Sequence, residues 1–216
     1  MEKERTNIFQ NLESLGKVAT SLVTFGFVIL VLFTLFQGSQ QNANPRYLIE
    51  QGKSYYEFPK IKLAETELLG IDFAYNAIDA IPVEITKLSK LQLIDFSNNL
   101  LTNVPKEVCD LKDLKSLNLK NNRLSKLPED FSKCENLTEL SIAGNEFKEF
   151  PLGISKAPAL EGLDISQNDF VLLAEHILPL QKLKTLKLSQ SQLPLAEQTK
   201  LQQSLPDLKI EFIKSQ

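Results

Sequence analysis

Leu114-Lys115-Ser116-Leu117-Asn118-Leu119-Lys120-Asn121-Asn122-Arg123-Leu124 decides the fold, because the chain keeps returning to it. At a displacement of 23 residues the same apolar and amide positions recur. Upstream they are Leu91, Ile94, Phe96, Asn99 and Leu101, and before those Leu68, Ile71, Phe73, Asn76 and Ile78. Downstream come Leu137, Leu140, Ile142, Asn145 and Phe147, then Leu160, Leu163, Ile165, Asn168 and Phe170. A last copy, Leu183, Leu186, Leu188, Ser191 and Leu193, has Ser at the Asn position. A fixed period of this length means coils that bury their inner faces only by stacking on one another.

Apolar residues alternate within each copy, as in Leu117-x-Leu119, so a short strand points both to one side. The second half of the unit recurs as well: Ile81-Pro82-x-Glu84-Ile85-x-x-Leu88, Val104-Pro105-x-Glu107-Val108-x-x-Leu111, Leu127-Pro128-x-Asp130-Phe131-x-x-Cys134 and Phe150-Pro151-x-Gly153-Ile154-x-x-Ala157. Each Pro follows an inward anchor and favours extended or turn backbone there. With both halves in register, the chain from about Phe58 to Phe212 resembles the leucine-rich repeat family in its 23-residue form. The resemblance implies an α/β solenoid, a horseshoe with a parallel sheet on its concave side and short helical or extended turns outside.

Asn76, Asn99, Asn122, Asn145 and Asn168 form a column where the chain leaves each strand. Backbone groups there face inward without ladder partners, and an Asn amide offers both a donor and an acceptor to satisfy them. That column is expected to be a structural ladder. The outward strand positions form the concave face, and from them the candidate ligand-binding residues are Asp72, Asp95, Asn118, Lys120, Glu139, Asp164 and Lys187, with Tyr75 just beyond the first strand. A cation site between Asp72 and Asp95 is conceivable, but no metal or cofactor is expected, because Asp is a frequent wording of this repeat. His176 is the sole histidine, and neither a nucleophile elbow nor a Gly-rich phosphate loop occurs, so no catalytic residue is assigned.

The chain has 216 residues, 43% hydrophobic and 24% charged, which is globular rather than disordered composition. A net charge of −3 gives no basic footprint for nucleic acid. Residues 1–17 form a short polar head. Residues 18–36 carry no charge, and at 1.5 Å per residue they span roughly 28 Å, a bilayer's hydrocarbon thickness. They are expected to be a retained transmembrane signal anchor, with cleavage and secretion as the alternative. Lys3, Arg5 and Lys17 before the span, against Arg46 and Lys53 after it, favour a cytoplasmic N-terminus and extracytoplasmic repeats. Residues 37–45 read as a polar linker, 46–67 as a degenerate capping repeat, 68–204 as six repeats, and 205–216 as a closing strand and tail. Lys209, Glu211 and Lys214 place charge on that strand.

Cys134 stands in a column with Leu88 and Leu111, as a small buried apolar residue. Cys109 falls in a column with Thr86, Ser132 and Ser155 and is expected on the exposed outer side. Their adjacent repeats leave a disulfide open, but two free thiols are the default. Asn136-Leu137-Thr138 is a sequon, meaningful only in a eukaryotic secretory protein. Together these features lead to the expectation of a non-enzymatic, membrane-tethered module that binds a protein partner. The alternative is a cytoplasmic scaffold of the Ras-suppressor-like type, which the L-P-x-E-I wording also resembles.

Overall fold

A computed structural model describes residues 47–49 and 68–214. The chain divides into two units, Met1–Asn44 and Pro45–Gln216, and the solenoid lies in the second. The expected polar head, membrane span and linker lie outside the described residues, as does most of the expected capping repeat. Among the described residues no helix is long and apolar enough to cross a membrane.

The strands are β1 (Tyr47–Ile49), β2 (Gly70–Asp72), β3 (Leu93–Asp95), β4 (Ser116–Asn118), β5 (Glu139–Ser141), β6 (Gly162–Asp164), β7 (Thr185–Leu188) and β8 (Lys209–Phe212). They form one eight-stranded parallel sheet in chain order. The central residues pair as Leu48↔Ile71↔Ile94↔Leu117↔Leu140↔Leu163↔Leu186, each step one period long. The last step, Leu186↔Ile210, takes one residue more. From Ile71 to Leu186 this row is at most 3% exposed, so the sequence alternation does become an interior row. Phe73 and Phe96 stack one coil apart with ring centroids 5.8 Å apart.

The outer halves of the coils vary. Val83–Lys87, Lys106–Asp110 and Leu152–Lys156 are 3-10 helices, each begun by the Pro of its motif in extended geometry. Later coils use the short helix α1 (Ala174–Ile177) and the longer α2 (Leu195–Ser204). Inside, Ile85, Val108, Phe131 and Ile154 are at most 1% exposed. The second half of the motif is therefore an inward anchor as much as a helix former.

Each inner turn is tied to the previous coil by a side-chain amide. Asn122 Nδ2 donates to the carbonyls of Leu119 and Lys120 in its own coil and of Phe96 in the coil before, at 2.9–3.2 Å. Its Oδ1 accepts the Leu101 N–H at 3.0 Å. Asn99, Asn145 and Asn168 repeat the pattern one coil apart. In the last coil the substitute is not Ser191 but the next residue. Gln192, 1% exposed, donates from Nε2 to Ile165 O at 3.0 Å while its Oε1 accepts the Ser189 N–H at 2.7 Å. β7 runs to Leu188, one residue further than the strands before it, and the longer Gln side chain reaches back across the shifted turn.

Residues before the amide column adopt a left-handed turn: Tyr75, Asn98, Asn121, Gly144 and Gln167 have φ between 54° and 62°. Gly144 serves twice, since a methyl group there would also overlap Asn121 Oδ1. The cysteines depart from the sequence expectation of free thiols. Cys109 and Cys134 form a disulfide with their Cα atoms 4.5 Å apart, and Cys109 is 1% exposed rather than on the outer surface. Its column is polar in neighbouring coils, but here the side chain turns inward to its partner.

Two variants test these ties by urea denaturation. Asn122→Leu strands the buried Leu101 N–H, the carbonyls keeping their bonds from Asn99, Asn145 and the Asn98 N–H, and is expected to lose about 1–3 kcal/mol, the cost of one unmet group. Asn121→Ser, altering an exposed amide, should lose far less. Joint replacement of Cys109 and Cys134 by Ala should lose about 2–4 kcal/mol, the usual range for a loop of this size; an unchanged midpoint under reducing conditions would contradict the bridge.

Candidate functional site

The sheet face turned away from the core is built from the positions that alternate with the interior row. Across the sheet its central line is Asp72↔Asp95↔Asn118↔Ser141↔Asp164↔Lys187↔Glu211. A second line runs Gly70↔Leu93↔Ser116↔Glu139↔Gly162↔Thr185↔Lys209. Asp72, Asp95, Asn118, Asp164 and Lys187 thus fall in one row and Glu139 in the next. Lys120 lies past the end of β4, and Tyr75 stands at the rim, 60% exposed.

Much of the central line serves the backbone. Asp72, Asp95, Asn118 and Asp164 each accept, through the first side-chain oxygen, the N–H two residues on, at 2.7–3.2 Å. That bond closes an Asx turn where the strand ends. Asn118 Nδ2 also donates to Asp95 Oδ2 at 2.8 Å, and Asp164 Oδ1 takes the Ser166 hydroxyl at 2.7 Å. Burial pushes the Asp95 carboxyl above its ordinary range, against the lowering effect of its bonds from Ser97 and Asn118.

Ser141 breaks the row. It is fully buried, and its Oγ has no hydrogen-bond partner. Two residues earlier on the same strand, the Glu139 carboxylate lies over Gly162, where a methyl group would overlap it. Burial raises its pKa; Lys187 and Lys184 pull the other way, and Glu161 adds to the rise. Lys187 lies 3.8 Å from Glu211, and Lys184 pairs with Glu161 at 2.7 Å. Sequence reasoning marked Glu139 and missed Ser141, because a serine in a strand signals nothing until its hydroxyl is seen without a partner. Among the described residues no group of three or more His, Cys, Asp or Glu side chains is placed to hold a metal.

His176 sits apart, on the outer side. Its ring stacks on Phe150 at 5.0 Å, and Nδ1 accepts the Leu173 N–H at 3.3 Å. Burial lowers its pKa, opposed by Glu175 and Glu197.

A stack of coils presenting one unbroken parallel sheet is a solenoid, with the strand positions that alternate with the interior row on its other face. The family model described as Leucine rich repeat matches residues 90–147 of the stack. A leucine-rich repeat protein of Leptospira interrogans is 28% identical with a TM-score of 0.66, the match covering 73% of this chain and 40% of that one. An internalin from Listeria monocytogenes, at 23% identity and a TM-score of 0.56, shares the fold over 68% of this chain and 41% of its own. The plant peptide hormone receptor RGFR1, in complex with RGF2, is 30% identical at a TM-score of 0.50, over 58% of this chain and 21% of the receptor. The chain thus spans less than half the length of each. No curated protein matches it.

Two predictions concern these side chains. Unfolded His176 titrates near its ordinary 6.5 and the folded group lower. Its contribution to stability is therefore complete above that value and is lost as pH falls through it toward the folded pKa. The thermal midpoint of wild type relative to His176→Leu should drop between pH 7 and pH 5; a constant difference would count against the linkage. Gly162→Ala should change stability by no more than about 1 kcal/mol, because the overlapping atoms end a flexible side chain. NMR titration should then find the Glu139 pKa moved down toward its ordinary 4.5.

Proposed function

We propose that this chain is a membrane-tethered leucine-rich repeat protein that recognises a protein partner with its concave face, the repeats lying outside the cytoplasm. The observation that carries recognition is the eight-stranded sheet, which offers an extended face. Solenoids use such concave surfaces for binding. The plant receptor, structurally similar to this chain, is in complex with RGF2. The apolar stretch 18–36 supplies the tether, and the flanking charges give the orientation.

The Cys109–Cys134 bridge supports the same side of the membrane. Disulfides persist in oxidising compartments and are rare where thiols are kept reduced. A cytoplasmic scaffold of the Ras-suppressor-like type would hold these cysteines as thiols.

Topology and recognition are tested separately. Protease added to intact cells should digest the repeats of the full chain, and alkylation in denaturant should find thiols only after reduction. Repeats protected until lysis, with both thiols free, would overturn the placement. Cross-linking on intact cells should capture a protein partner with wild type and lose it with Leu93→Arg, which alters the concave face without touching the interior row. A partner retained by that variant would argue against recognition through this face.

A further inference from the structure

We infer that the solenoid pairs with a second copy of this chain along β8, the two strands running antiparallel about a two-fold axis at Ile210. The inference is independent of the recognition proposed for the concave face.

β8 stands at the edge of the sheet and, among the described residues, pairs only with β7. Its interior side is uncovered. Leu186 and Leu188 are fully buried, whereas their neighbours in register change: Ile210 is only partly buried and Phe212 is 40% exposed. Its backbone is uncovered too. Successive residues of a strand turn their N–H and C=O groups to opposite sides. Lys209 and Ile213 donate back to Lys184 and Leu188, so Ile210 and Phe212 face the other way. In earlier coils the N–H groups equivalent to that of Phe212, those of Phe73, Phe96 and Leu119, donate to the next coil. The carbonyls equivalent to that of Leu208, those of Leu69, Gln92 and Lys115, accept from it. Among the described residues no further coil meets these groups on β8.

Such an edge is a template for another strand, and charge is a usual defence against pairing. Here the charge has both signs. Lys209 and Glu211 alternate with Ile210 on the open face, and within one copy they pair at 2.6 Å, with Lys187 3.8 Å from Glu211 on its other oxygen. Placing Ile210 opposite Ile210 of the second copy sets each Lys209 opposite a Glu211. The Cα atoms of such a pair lie about 4.5 Å apart, against roughly 7 Å between alternate residues of one strand. The two Ile210 residues then exchange both backbone bonds, and each Phe212 N–H meets a Leu208 carbonyl. The two interior rows join at Ile210. In the adjacent registers that keep these backbone groups facing, Lys209 opposes Lys209 or Glu211 opposes Glu211, and like charges repel. Charge thus admits one register. The pairing is isologous and closes at two copies, whereas parallel head-to-tail stacking would not close.

The test measures the mass of the full chain by light scattering in non-ionic detergent over a dilution series, the detergent's contribution subtracted. Wild type should be a dimer. Lys209→Glu and Glu211→Lys should each weaken association by about tenfold, because two cross-strand attractions become repulsions. Mixed one to one, the two variants should recover a dimer, since each Glu then faces a Lys; recovery separates lost pairing from misfolding. Air oxidation reads the register. Ile210→Cys should cross-link, with Cα atoms about 5.5 Å apart, and Phe212→Cys should not, at about 14 Å. A monomeric wild type would overturn the inference, as would a mixture that stays monomeric. A dimer indifferent to both charge variants would place the contact elsewhere, the stretch 18–36 included, and equally overturn it. A mass that grows without limit would mark head-to-tail stacking, and cross-linking by Glu211→Cys in place of Ile210→Cys would refute the register.

Discussion

Where each coil leaves its strand, the backbone turns with amide and carbonyl groups pointing into an interior otherwise lined by Ile, Leu and Phe. They are buried, and the inter-coil backbone bonds run only as far as the residue before the amide. One side-chain amide per coil meets the need, donating twice within its own turn and once to the coil before, and accepting an N–H from that earlier coil. The last two bonds make the amide a connection between coils as well as a cap. A leucine at the same place would fill the space and leave the Leu101 N–H without an acceptor, while the carbonyls would keep the bonds that Asn99, Asn145 and the Asn98 N–H supply.

Much of the rest follows from that constraint. Because the amide must sit at a fixed point after the strand, the strand and its left-handed turn recur at a fixed point too. The interior row then aligns from Ile71 to Leu186. The outer halves of the coils are free of this requirement and vary between 3-10 helix, irregular chain and α-helix while keeping one inward anchor. The coil containing Cys134 lacks the 3-10 helix of its neighbours, and there the disulfide supplies a covalent link between consecutive coils. Non-covalent stacking and covalent bridging thus act on the same nearest-neighbour interface that governs the stability of solenoids.

The regular parts of this arrangement were legible in the sequence because they are periodic. Alternating Leu and Ile gave the interior row, and the Asn column marked the turn. What broke the period was harder to read. Gln192 replaces Asn only because β7 runs further than its neighbours, a shift of one residue that a strict 23-residue frame assigns to Ser191. Cys109 lies in a column that is polar elsewhere, so its burial depends on a partner in the next coil. Ser141 resembles any polar strand residue, and only the bonds made around it reveal a hydroxyl without a partner. Periodicity predicts what every coil must do; it says nothing of what one coil does alone.

That distinction bears on where recognition can reside. Asp72, Asp95, Asn118 and Asp164 recur on the open face because a side-chain acceptor there closes the strand-end turn, and their presence by itself identifies no ligand. A residue with a turn to close is constrained by its own coil, whereas one without that duty is open to selection by a partner. Ser141 has given up the turn bond, Glu139 lies across a neighbouring Gly, and Tyr75 holds a left-handed φ of 57° at the exposed rim with no amide side chain to favour it. Such departures impose a local energetic cost that stacking alone does not require. They therefore point to partner contact more directly than the acidic positions the repeat itself demands.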